Sequence, residues 1–139
     1  MGLVYADIKL TNVDDLALVK RKIIQKDAVR TMEVAAMVDS GAYMMAINET
    51  VQKQLGLDIT DIQYAALANG QVIELNVVGP IEVRFANRRT ICEAVVLPGD
   101  GEILLGAIPM EAMDVLIHPK EQKLIVNPKH PIKPQLSLK

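Results

Sequence analysis

One segment brings together residue types that can do chemistry: Val38-Asp39-Ser40-Gly41-Ala42. It sets a carboxylate at the end of an apolar run, followed by a hydroxyl residue and a glycine. Two carboxyl groups within hydrogen-bonding reach do not both ionise. They hold one proton between them, so one can act as general base on a water while the other acts as general acid. The tripeptide alone is weak evidence. Asp-Ser-Gly or Asp-Thr-Gly arises by chance in on the order of one in ten to one in twenty chains of this length. An Asp before Ser-Gly is also an ordinary turn residue. The surrounding elements have to decide.

Other chemistries have less support. Cys92 with His118 or His130 is a conceivable thiol pair, but Cys92 lies in the apolar stretch Ile91 to Leu97 without a basic neighbour to activate it, and is expected to be a buried, inert thiol. Two His and one Cys at wide spacing make no zinc signature, and no glycine-rich phosphate loop is present, so neither metal nor cofactor is expected. Lys20 to Lys22 and Arg88-Arg89 are expected on a solvated face or a hairpin tip. Met44 and Met45 read as core filling, with a pocket wall as the less favoured reading.

Composition narrows the partners. The net charge is -2, from 15 basic and 17 acidic residues mixed along the chain, which gives no electrostatic reason for nucleic acid or an anionic membrane. One Phe and no Trp make base stacking implausible. A single Cys forms no internal disulfide, no apolar run reaches transmembrane length, and Met1 to Leu10 is broken by Asp7 and Lys9. A soluble, cytoplasmic protein is expected. Its 139 residues suit one domain, 1–139, with residues 1–30 as an N-terminal strand and extension and 128–139 as an extended tail.

The elements that must position Asp39 can be read from periodicity. Leu3 to Leu10 alternates like a strand exposed on one face, placed at a sheet edge. Asn12 to Ile24 shows helical spacing at Leu16, Val19 and Ile23, with Asp14 or Asp15 as cap. Met32 to Val38 is a compact apolar run that suits a buried strand ending at Asp39. Ile47, Val51 and Leu55 recur at helical spacing between a capping Asn48 and a terminating Gly56. From Ile59 to Leu97 the chain reads as hairpins: Asn69-Gly70 as a type I′ turn, Gly79-Pro80 as a bend, and Asn87 to Arg89 as a further turn. Ile103 to Leu105 is a very short strand, and Pro109 opens a helix to about Met113. Strands near Asp114 to Ile117 and Lys123 to Val126 follow, then a proline-bearing tail from Pro128.

In this order the parts resemble the retropepsin-like aspartic proteases. The resemblance runs roughly from Val34 to Pro128. It rests on Asp39-Ser40-Gly41-Ala42, the helix ending in Leu55-Gly56-Leu57, the Asn69-Gly70 hairpin, and Ile103-Leu104-Leu105-Gly106 before a helix. It implies a mostly β, single-domain acid protease fold, with a closed barrel-like sheet, a flap hairpin and one or two short helices. It also implies a homodimer, because the chain holds no second Asp-Ser-Gly or Asp-Thr-Gly and a two-fold axis supplies the second Asp39. By the same resemblance Asp39 is catalytic, Ser40 braces the loop across the axis, and Gly41 allows close backbone approach. Ala42 and the flap residues Ala68, Asn69, Gly70 and Gln71 would contact a peptide or protein substrate bound as an added strand.

The pattern departs from the viral enzymes in two places. Tyr43 stands where they have Asp, and Ala107 where they have Arg, so both halves of a supporting ion pair are absent. That keeps a second expectation open: a dimeric peptide-binding or assembly module of the same fold with little or no proteolysis. No role follows from the sequence for residues 12–24.

Overall fold

Alternating apolar and polar side chains shape most of the regular structure into strands. The computed structural model describes residues 2–138, so Met1 and Lys139, the outer ends of the expected domain and tail, lie outside the described residues. Among these are nine strands: β1 (Tyr5–Asn12), β2 (Thr31–Val38), β3 (Met45–Asn48), β4 (Ile59–Ala66), β5 (Val72–Phe85), β6 (Arg88–Leu97), β7 (Leu104–Leu105), β8 (Val115–His118) and β9 (Lys123–Val126). Three helices accompany them, α1 (Val13–Lys20), α2 (Glu49–Leu55) and α3 (Ala107–Met113), one in each segment expected to be helical and one more than the resemblance implied.

Six strands close a ring in the order β1-β2-β7-β3-β6-β5, because β5 pairs back onto β1; β4 hangs outside the ring on β5. The expected strand at the N-terminus is present, but it is no edge. β1 pairs with β2 from Tyr5↔Met37 to Thr11↔Thr31 and with β5 from Lys9↔Arg84 to Asn12↔Ile81. Closure covers the second side of β1 from Lys9 to Asn12. Ala6, Ile8 and Leu10 point inward, where they meet Met45, Ile47, Leu55, Ile81, Val83 and Leu105 in a core without Trp. The small sheet β8-β9 stands apart from the ring's ladder.

β2 is buried only at Ala36 and Val38, so it is less enclosed than its apolar run suggested. β3 is buried at all four positions and has no counterpart in the sequence reading, which attached Ile47 to the following helix. α2 is bounded as expected: the Asn48 side chain accepts from Val51 N at 2.8 Å, and Gly56 ends it at φ +62°.

α1 is shorter than its apolar spacing implied, ending at Lys20 and leaving Ile23 65% exposed. Its cap is Asn12, which accepts from Asp15 N at 3.0 Å, and neither Asp14 nor Asp15. Asp15 is instead buried and takes the Arg30 guanidinium through both oxygens, each at 2.9 Å. Asn12 Nδ2 also donates to Leu55 O at 2.7 Å. Together these contacts pin residues 13–30 as a closed loop onto the end of α2.

Arg88 corrects another expectation. It is fully buried at the start of β6, whereas Arg89 is half-exposed and holds the buried Glu82. Arg88 donates to His130 O, while its Nε and Nη1 find no acceptor among the described residues. The tail beyond Pro128 has no regular structure but is fastened. Asn87 Nδ2 donates to Pro131 O at 2.8 Å, and Asp114 takes Asn127 Nδ2 at 3.0 Å, His130 Nδ1 at 2.7 Å and Gln135 N at 3.1 Å. No helix among the described residues is long and apolar enough to cross a membrane.

Candidate active site

Asp39 is carried to its position by two parallel strands. β2 runs beside β7, with Met37 paired to Leu104 and Val38 to Leu105, and the ladder ends where Asp39 N donates to Leu105 O at 3.0 Å. On the other side Val38 N donates to Val4 O at 2.8 Å. The chain then turns: Ala42 N donates to Asp39 O at 3.1 Å, and Gly41 N donates to Asp39 Oδ1 at 2.9 Å. An amide proton on one oxygen fixes the carboxylate's rotation and leaves the other free to meet solvent or a second acid. Asp39 is half-buried, and Ser40 and Gly41 are exposed. The Ser40 hydroxyl makes no hydrogen bond within the described residues.

The loop rests on the first turn of α3. Ala107 N donates to Ala42 O at 2.8 Å and Ile108 N to Tyr43 O at 3.0 Å, which uses helix-start amides that have no partner inside the helix. The approach is close enough to require Gly106, since a Cβ there would lie 2.2 Å from Met44 O and 2.8 Å from Ala42 O. Ala107 and Tyr43 thus belong to segments joined through main chain, with no ion pair. The Tyr43 side chain is 75% exposed.

β4 and β5 form the hairpin expected as a flap. Its tip differs from the expected type I′ turn. Gly70 takes φ +85° but Asn69 does not take positive φ, Gly70 N donates to Leu67 O at 2.9 Å, and Leu67 N to Gln71 O at 2.8 Å. This is a three-residue turn closed by a left-handed glycine. The Asn69 side chain is engaged in accepting from Gln71 N at 2.9 Å, which favours that geometry. Ala68, Asn69, Gly70 and Gln71 are all exposed, and none touches the Asp39 loop through a hydrogen bond.

What does meet the loop is the stem of the hairpin. A cleft of about 280 Å³ lies between Tyr43 and Met44 on one side and Gln63, Tyr64 and Ala65 of β4 on the other, floored by Leu75 and Val95. Met44 therefore lines a cleft while Met45 is core. Gln63, Tyr64 and Ala65 of β4 join Met44 in this cleft without having been among the expected site residues. Their own residue types carry no signal for it, since Ile62-Gln63-Tyr64 alternates like a strand with one buried face while both faces are exposed.

The competing chemistries recede. Burial and then the Glu93 charge push the Cys92 thiol up to about 11, so it holds little thiolate at neutral pH. His130 is hydrogen-bonded to Asp114 and His118 Nδ1 accepts from Glu121 N. Among the described residues no three His, Cys, Asp or Glu side chains gather as a metal site.

A family model described as "gag-polyprotein putative aspartyl protease" matches residues 28–111, more than half of the chain. The chain belongs to this family. The match contains Asp39, the hairpin and the Gly106 turn, and with the ring of strands it gives the retropepsin-like fold the sequence resemblance implied. Comparison with curated proteins gives no significant match.

Proposed function

We propose that this chain is one half of an aspartic endopeptidase. The observation that carries the reading is Asp39 itself: a half-buried carboxylate at a strand end, rotationally fixed by Gly41 N, on a loop seated against the Gly106 turn. In a homodimer the two Asp39 carboxylates meet at the axis and share a proton. The pair titrates as one unit. A water held between them loses a proton to one carboxylate as it attacks the peptide carbonyl, and the other protonates the leaving amine, with no covalent intermediate. The unpartnered Ser40 hydroxyl would brace the two loops across the axis.

The flap stem favours an extended peptide as substrate. β4 is exposed along almost its whole length and carries Ile62 and Tyr64 outward, a surface that a peptide strand or a second copy would cover. The exposed Tyr43 beside Ala107 favours the second reading, a dimeric peptide-binding or assembly module, because nothing there grips a substrate backbone through charge.

The decisive experiment is hydrolysis of a diverse peptide library from acid to neutral pH beside Asp39→Asn, with mass measured by light scattering. A dimer that cleaves, with the variant slower by about 10²-fold or more, is the expected result. A dimer that cleaves nothing supports the assembly module; a monomer at high concentration contradicts both.

A further inference from the structure

A second cavity, of about 740 Å³, shares no lining residue with the Asp39 loop or with the cleft beneath β4. Its size falls within the range of small-molecule sites. One wall is the closed loop 13–30, and the other is the outer face of β1, β5 and β6.

Charge sets this cavity apart. Lys9, Lys20, Lys26, Arg84 and Arg89 face it, and the only acid on its wall is Glu82, in a chain whose net charge is -2. Glu82 is already satisfied, receiving Arg84 Nε at 2.9 Å and Arg89 Nε on its other oxygen. The three lysines have no carboxylate within ion-pair distance among the described residues. The three lysines are exposed and give the space a positive potential that favours an anion. Leu16, Val19 and Val29 supply an apolar surface in the same space, which a bare inorganic anion would not use.

The wall is built to stay in place. The loop that carries Leu16, Val19, Lys20 and Lys26 is tied down by Asn12 to Leu55 O and by the Asp15 and Arg30 pair. Leu16, Val19, Lys20 and Lys26 all precede residue 28, where the family match begins.

We propose that this cavity binds a small organic dianion, a phosphate or dicarboxylate group carried on an apolar body, with Lys9, Lys20 and Lys26 holding the charge and Leu16, Val19 and Val29 the body. The test is titration of the full chain with 1-naphthyl phosphate, 2,6-naphthalenedicarboxylate and inorganic phosphate, followed by calorimetry and amide NMR shifts. The expected result is saturable binding of at least one naphthyl dianion, inorganic phosphate weaker by about tenfold or more, and shifts around Leu16 to Lys26 but not at Asp39 to Ala42. Lys20→Glu with Lys26→Glu should weaken binding by about tenfold or more, as should a rise in salt. If circular dichroism shows that this pair misfolds, Lys20→Gln and Lys26→Gln singly replace it. Phosphate against dicarboxylate affinity identifies the headgroup. Absence of saturable binding by both dianions, equal affinity for inorganic phosphate, or folded lysine variants that bind like wild type would overturn the proposal. A glutamate-rich peptide that binds here while both dianions do not would make the surface a protein-docking site instead, and would equally sink it.

Discussion

Gly106 and Met44 approach so closely that the glycine's missing side chain is a structural requirement: a Cβ on Gly106 would sit 2.2 Å from Met44 O. The atoms it would strike are main chain, and they belong to the segment that leaves the Asp39 turn. A side chain there must move the candidate active-site loop or the start of α3.

Gly106→Ala is therefore expected to lower unfolding free energy by about 3 kcal/mol, read from urea denaturation, and to abolish any hydrolysis. Gly70→Ala is the control. A Cβ there meets open space, and the cost is the φ of +85° alone, about 1 kcal/mol. Equal losses at the two positions would mean that the loop does not depend on this contact.

Asp15 ties the 13–30 loop to Arg30, and the hydrogen bonds from Arg30 hold its carboxyl below the ordinary carboxylate value despite burial. A lowered carboxylate contributes stability that is present above the unfolded value of 3.8 and lost as pH falls through the folded one. Asp15→Ala should cost about 1–3 kcal/mol at neutral pH, and the difference between variant and wild type should shrink in acid. Hydrogen exchange of residues 13–30 should rise in the variant. A pH-independent difference would contradict the assignment.

The tail should show its own acid transition. Asp114, held by Asn127, Gln135 N and His130, has its carboxyl lowered to about 2 from 3.8. The sign is again that of a depressed acid, so the tail stays fastened above about pH 4 and loosens as pH approaches 2. Proteolysis by pepsin after Pro128 across that window, or NMR of the Gln135 amide, reports it. Asp114→Asn should release the tail at neutral pH while leaving the ring of strands folded.

Arg88 presents a buried guanidinium with two donors unanswered. Met is close to it in length and carries no charge, so Arg88→Met is expected to leave the urea midpoint unchanged or raise it. Arg88→Ala opens a cavity and should cost about 2 kcal/mol or more. Both variants lose the bond to His130 O, so exchange at residues 128–135 should rise equally. A Met variant as unstable as the Ala variant would show that the charge itself is needed.

The sequence disclosed those features whose physics is local. α2 was legible because Asn48 and Gly56 punctuate it, and the Asp39 turn because an acid, a hydroxyl and a glycine follow an apolar run. Features set by distant neighbours were not. The cap at Asn12 was misread because Asp14 and Asp15 look equally suitable until Arg30, fifteen residues later, claims Asp15. Arg88 looked like a hairpin tip, because the tail residue that accepts from it, His130, lies 42 residues away. β1 looked like an edge since nothing in its own residues announces β5 as a second partner. The hairpin tip was the reverse case. Its turn type was local, but the Asn69 side chain, bonded to Gln71 N, selected the longer loop.

The closed ring also orders events in time. β1 is made first, yet its second partner lies near Ile81 to Arg84, and β2 gains its far neighbour only when Leu104 and Leu105 have been synthesised. Pairings of such sequence separation form slowly and late, because long stretches of chain must be closed before they are rewarded. Asp39 sits at the end of the second of these, through its bond to Leu105 O, while the neighbouring Val38 bonds the nearer Val4. A growing chain on the ribosome therefore carries Asp39 on a loop held from one side only until Leu105 has emerged, and the candidate site sets late.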